Sequence, residues 1–118
     1  MPENGEGPVA ALNLTSSTVA EITVVKVDGV LDATTREQFA DYLSLAASDL
    51  ILDLGGVTFM DSRALGLIVH HWQTSLASGA RFALVGVEYS KSKVMWITGL
   101  AQRLPLYDTL DDALAAIG

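Results

Sequence analysis

The pattern of apolar and polar positions changes period in the middle of the chain, between Leu50 and Leu76. Leu50-Ile51-Leu52 is a continuous apolar run, as a strand buried on both faces needs. Asp53 and the Gly55-Gly56 pair are expected to end it. Val57, Thr58, Phe59 and Met60 then carry the chain, extended, to Asp61-Ser62. Beyond that pair Leu65, Ile68, Val69, Trp72 and Leu76 recur at helical spacing on one stripe. A short polar residue before such a stripe is an N-cap signal, because its oxygen satisfies amides that lack a partner inside the helix. The pattern therefore places the Ser62 hydroxyl at the positive end of a helix dipole, at the edge of a buried sheet.

The same reading extends outwards. Residues 9–15 are weakly strand-like, Ser16-Ser17 reads as a turn, and residues 21–27 alternate apolar and polar, which together predict a hairpin. Asp28-Gly29 is a second turn signal, followed by a short extended piece at 30–32. Thr34 and Glu37 have the capping-box spacing, and Phe39, Leu43 and Ala46 form a stripe, so a helix is expected over 34–47. Ser78-Gly79 closes the helix that follows Ser62. Residues 82–87 form another apolar strand, and 90–98 a short helix ended by Gly99, with Val94 and Ile97 towards the core. Residues 105–107 read as a last short strand. Thr109 caps a final helix whose Leu110, Ala113, Leu114 and Ile117 face inwards. Strands alternating with helices imply a mixed, mostly parallel sheet with an N-terminal antiparallel hairpin and about four helices, a single α/β domain.

Composition narrows this picture. The 118 residues suffice for one domain, and 50% hydrophobic with 18% charged residues suits a compact fold. Residues 1–8, acidic and bearing Gly and Pro, read as a disordered lead-in without the features of a secretion signal. The formal charge of −7 argues against nucleic acid or anionic lipid as a partner. No apolar run is long enough to cross a membrane. The absence of cysteine excludes disulfides, thiolate metal sites and a cysteine nucleophile, and is compatible with the cytoplasm.

No catalytic constellation emerges. Ser62 lacks the Gly-x-Ser-x-Gly elbow of hydrolases. His70 and His71 are adjacent on a helix, about 100° apart, and cannot share a metal as i, i+4 histidines do. No nucleotide-binding loop is present, so neither a cofactor nor a metal is expected. A phosphoacceptor receiver domain has similar length and alternation, with Asp53 ending a strand. It would need an acidic pair after its first strand, and none is there.

Several segments, in order and at matching spacing, resemble a STAS domain of the bacterial anti-sigma factor antagonist family. They are Gly29-Val30-Leu31-Asp32, the run LILDLGGVTFMDS at 50–62, Leu65-Gly66, Gly99-Leu100 and the C-terminal TLDDALAAIG. The resemblance covers nearly the whole chain from about residue 9 to 118. It implies a STAS fold and a protein that is acted upon, not an enzyme. In that family the serine following the aspartate is phosphorylated by an anti-sigma factor that is itself a serine kinase. The unphosphorylated antagonist binds that kinase and releases a sigma factor; a PP2C-type phosphatase restores the binding form. The matching phosphoacceptor is Ser62, and the expected partner contacts are Asp32, Asp61, Arg63, Leu65 and Trp96.

Two departures from the family pattern bear on this expectation. The family has Asp-Ser-Ser-Gly-Leu-Gly, whereas Arg63-Ala64 stand here in place of Ser-Gly. The Ala64 methyl stands where glycine permits close approach and is expected to hold a kinase off, while Arg63 is expected to pair with a phosphate on Ser62, to spoil docking or to lie in solvent. Val30 stands where the family often has glutamate. The competing reading is a STAS scaffold or regulatory module of a larger assembly, stressosome-like or transporter-associated, without a phosphoserine cycle. Oligomeric state is not legible from the sequence.

Overall fold

The computed structural model describes residues 11–46 and 49–118. The expected lead-in at 1–8, residues 9 and 10 of the expected first strand and Ala47 of the expected first helix lie outside the described residues. Five strands form one sheet in the order β1-β2-β3-β4-β5: β1 (Leu12–Val19), β2 (Ile22–Leu31), β3 (Leu50–Met60), β4 (Phe82–Val85) and β5 (Leu106–Tyr107). β1 pairs antiparallel with β2, and every later pair is parallel. Among the described residues, four α-helices, α1 (Arg36–Leu45), α2 (Ser62–Ser78), α3 (Lys93–Ile97) and α4 (Leu110–Ile117), and a short 3-10 helix at Leu100–Gln102 complete the fold.

The sheet is buried on both sides because its central strands are apolar at successive positions. Val25, Leu50, Leu52 and Leu84 join Phe39 and Leu43 of α1, Leu65 and Ile68 of α2 and Met95 of α3 in the larger core. Val24, Ile51, Ala83 and Val85, one residue out of phase, join Ala113 of α4 with Leu110, Leu114 and Ile117 against it. The period of two thus assigns each strand residue to one layer.

Several local expectations are corrected. Ser16 and Ser17 lie inside β1, paired with Val25 and Val24. The hairpin turn is instead Ala20-Glu21, both at positive φ (51° and 68°), as the twist-matched two-residue turn requires. β1 is mostly exposed, and that is why its polar serines imitate a turn. Asp28-Gly29 does not break the second strand either; Gly29 sits within β2 at φ 119°, where a Cβ would strike the Ala11 carbonyl oxygen. The capping box of Thr34 and Glu37 is not formed. α1 begins later, after Thr35, and Thr34 gives both its amide and its hydroxyl to Asp32.

In α2 the buried meridian runs through Ala64, Leu65, Ile68 and Ser75, while Leu76 is exposed. Residue 75 is seven positions from Ile68 and so returns within about 20° of it on a helix of 3.6 residues per turn. Its hydroxyl can be buried because it donates to the His71 carbonyl at 2.9 Å. Similarly Met95, not Ile97, is the core residue of α3; Ile97 is 79% exposed. Gly79 and Gly99 adopt the left-handed conformation expected of residues that end helices.

Candidate functional site

The sequence pattern predicts a strand that ends at Asp53 and the glycine pair, but β3 continues to Met60 by means of two irregularities. Lys26 pairs with Asp53 and Asp28 with Gly56, so Leu54 and Gly55 face Val27 alone. Gly29 pairs with Val57 and Val30 with Phe59, so Thr58 is also extra. Asp53 accepts the Gly55 amide at 2.9 Å, which accommodates the first bulge. Gly56 lies so close to β2 that a Cβ would meet the Asp28 carboxylate. Each extra residue shifts the alternation of side chains by one place. Consequently Val57 and Met60 are buried while Thr58 and Phe59 between them face out, Phe59 at 52% exposure.

At the end of β3, Asp61 is extended (φ −98°, ψ 175°) and is the N-cap of α2. Its carboxylate accepts the Ala64 amide at 2.9 Å. This corrects the expectation that Ser62 is the cap: Ser62 is the first helical residue and is exposed. Among the described residues no hydrogen bond engages its hydroxyl. The helix start therefore leaves the serine oxygen available to an incoming reagent. The Ala64 methyl does not stand in the way, because Ala64 is 1% exposed and belongs to the core. Arg63 is exposed in the first turn.

A groove of about 440 Å³ opens beside the serine. Phe59, Met60, Asp61 and Ser62 form one wall, and Ser90, Lys91, Lys93, Val94 and Ile97 the other. Beyond that second wall Trp96, 38% exposed, stands edge-on to Tyr89 with ring centroids 5.2 Å apart. A larger hollow, about 550 Å³ between α1 and α2, is lined by Leu43, Leu67, His70, His71 and Thr74 and does not reach Ser62. His71 is half-buried against Phe82, and burial pushes its imidazole pKa down, with His70 adding to the shift. Among the described residues no group of three His, Cys, Asp or Glu side chains could hold a metal, and no helix is long and apolar enough to cross a membrane.

Asp32 arrives at the same sheet edge by strand register. Leu31 pairs with Met60, and the Leu31 carbonyl accepts the Asp61 amide at 2.9 Å. The Asp32 carboxylate accepts from the Thr34 hydroxyl and amide, and the hydroxyl does most to hold its pKa below the usual carboxylate range. Thr35 locks the corner: its hydroxyl accepts the Asp32 amide at 3.1 Å and donates to the Val30 carbonyl at 2.7 Å. Of the residues singled out by sequence, Asp32, Asp61, Ser62 and Arg63 gather at this edge. Leu65, 2% exposed, supports α2 from within and presents no surface to a partner. Phe59, Ile97, Lys91 and Lys93 escaped sequence reasoning. The irregular spacing of Val57 and Met60, three apart within an extended segment, was the one available sign that Phe59 turns outward.

The family model of the STAS domain matches residues 13–113. The chain belongs to the STAS domain family. A candidate anti-sigma factor antagonist of Thermotoga maritima is 30% identical over 79 residues, covering 67% of this chain and 70% of that protein. The crystal structure of an anti-sigma factor antagonist from Mycobacterium paratuberculosis is similar with a TM-score of 0.80 at 27% identity, covering 90% of this chain and 93% of that one. SpoIIAA of Bacillus in its phosphorylated form shares the fold, with a TM-score of 0.67 at 24% identity over 92% of this STAS chain and 100% of that one. The mixed sheet with its antiparallel β1–β2 hairpin is the arrangement of this fold.

Proposed function

We propose that this STAS domain is a cytoplasmic anti-sigma factor antagonist switched at Ser62. Unphosphorylated, it binds an anti-sigma factor serine kinase and so releases a sigma factor. The kinase transfers the γ-phosphoryl group of ATP to the Ser62 oxygen, the hydroxyl proton is lost and ADP leaves; the modified chain no longer binds. A PP2C-type phosphatase hydrolyses the ester and returns the binding form. The observation that carries this reading is that Asp61 caps α2, leaving Ser62 exposed at the mouth of a groove with apolar Phe59 and Ile97 on opposite walls. The likeness to anti-sigma factor antagonists supports it.

The energetics suit a switch. A phosphate adds about −1.5 to −2 charges, and at a helix N-terminus the isolated domain tolerates them. The same charge in a closed interface beside Asp61 is desolvated and repelled. Disrupting a buried charged contact costs roughly 2–5 kcal/mol, about 30-fold to several thousandfold in affinity. The test is phosphorylation and pull-down with an anti-sigma factor kinase and ATP. One phosphate is expected on the wild type and none on Ser62→Ala, while Ser62→Asp loses kinase binding and Ser62→Ala keeps it. Equal binding by both variants would sink the switch. Copurification with a large assembly regardless of residue 62 would favour the scaffold reading.

A further inference from the structure

Three of the seven lysines and arginines of this acidic chain, Arg63, Lys91 and Lys93, lie within or beside the Ser62 region. Only the two lysines line the groove that Ser62 itself lines; Arg63, although next in sequence, does not. The charged side chains of the groove are therefore Asp61 on the β3–α2 wall and Lys91 and Lys93 on the wall leading into α3. Both lysines are exposed. Ser90, Val94 and Ile97 give that wall a short polar end and an apolar end.

We infer that Lys91 and Lys93 form an intramolecular clamp for the phosphate carried by Ser62, drawing it across the groove towards α3. This rests on the reading of Ser62 as phosphoacceptor and adds how the modified state is held. A dianion on the Ser62 oxygen enters a space already bounded by two cations, whereas Asp61 is committed to the Ala64 amide. Lysine suits such a role as a flexible point charge, and its ammonium forms charge-assisted bonds with phosphate oxygens. The occupied groove then closes the face that Phe59 and Ile97 offer to a partner. Phosphorylation would act by filling the docking site as well as by repulsion.

The experiment uses the full chain with phosphoserine introduced at position 62 during translation, so that no kinase is required. The second ionisation of the phosphate, ordinarily near pH 6, is followed by phosphorus NMR. Two nearby cations favour the dianion, and a lowering of roughly 0.5–1 unit is expected. Lys91→Gln/Lys93→Gln returns it towards the ordinary value, and Arg63→Gln leaves most of the lowering in place. Both sets of side chains are exposed, and circular dichroism checks that each variant is folded. An ionisation unaltered by the double lysine substitution, or one that follows Arg63 instead, overturns the clamp. That failure leaves the switch intact wherever the phosphorylated chain still loses kinase binding. Conversely, a clamp seen in a chain that binds the kinase equally in both forms would leave the clamp standing but refute the switch and the closing of the docking face.

Discussion

The Asp61 amide donates to the Leu31 carbonyl at 2.9 Å, extending the β2–β3 ladder by one step beyond Met60. Through this bond the last residue before α2 is fixed relative to the β2–α1 corner, where Thr34 and Thr35 in turn fix Asp32. Main-chain register thus sets the Asp61 end and side-chain hydrogen bonds the Asp32 end, and Ser62 follows directly on this hydrogen-bonded edge.

Because Asp61 supplies the cap, the stabilising residue and the proposed phosphoacceptor are separate, adjacent residues. Asp61→Ala should lower stability by about 1 kcal/mol, while Asp61→Asn, which keeps an acceptor for the Ala64 amide, should cost much less. Ser62→Ala should lie within about 0.5 kcal/mol of the wild type. Urea denaturation of the three variants decides the matter. If Ser62→Ala is as damaging as Asp61→Ala, the serine is the cap after all.

The layered α/β plan was legible in the sequence because Leu50-Ile51-Leu52 and residues 82–85 are apolar without interruption, and few other arrangements bury both faces of such strands. The opening of β3 beyond Asp53 was not legible. Glycines normally punctuate strands, and the pairing that carries this one onward comes from β2, which is distant in sequence. Likewise Ser62 drew attention as a chemical group, yet the groove that gives it a setting depends on α3. No local pattern places Lys91 and Lys93 opposite Ser62. Leu65 differs for a related reason: its place in a motif resembles a contact, while its side chain is buried in the core.

Stability should fall in two separate steps on acidification. The His71 pKa is depressed by burial, so the folded chain resists a proton that the unfolded chain accepts. Stability is therefore full above about pH 6.5, the ordinary histidine value, and is lost as pH falls from there through the lower folded value. Asp32, held low by Thr34, and Asp49, held low by the Arg81 amide and guanidinium, act in a lower window. Their contribution is present above about pH 3.9 and lost as pH falls through their depressed values. His71→Leu should flatten the first step and leave the second, as judged by denaturation midpoints measured from pH 8 to pH 3. Persistence of the upper step in this variant would assign it elsewhere.

The exposed apolar walls of the groove should carry partner affinity without carrying the fold. Phe59 is 52% and Ile97 79% exposed, so truncating either removes little core. An aromatic ring at the centre of an interface commonly contributes more than 1 kcal/mol to binding. Phe59→Ala should accordingly weaken kinase binding roughly tenfold or more, with a stability loss of about 1 kcal/mol or less. Ile97→Ala should have a smaller effect in the same direction. Trp96→Ala tests whether the contact continues past the groove to the Tyr89–Trp96 pair. Leu65→Ala is the opposite control: it should cost about 2–5 kcal/mol of stability because the side chain lies in the core. Its binding, measured by titration calorimetry at a temperature where it remains folded, should stay near wild type. Wild-type affinity in both Phe59→Ala and Ile97→Ala would remove the groove as the docking surface, even with Ser62 retained as the phosphoacceptor.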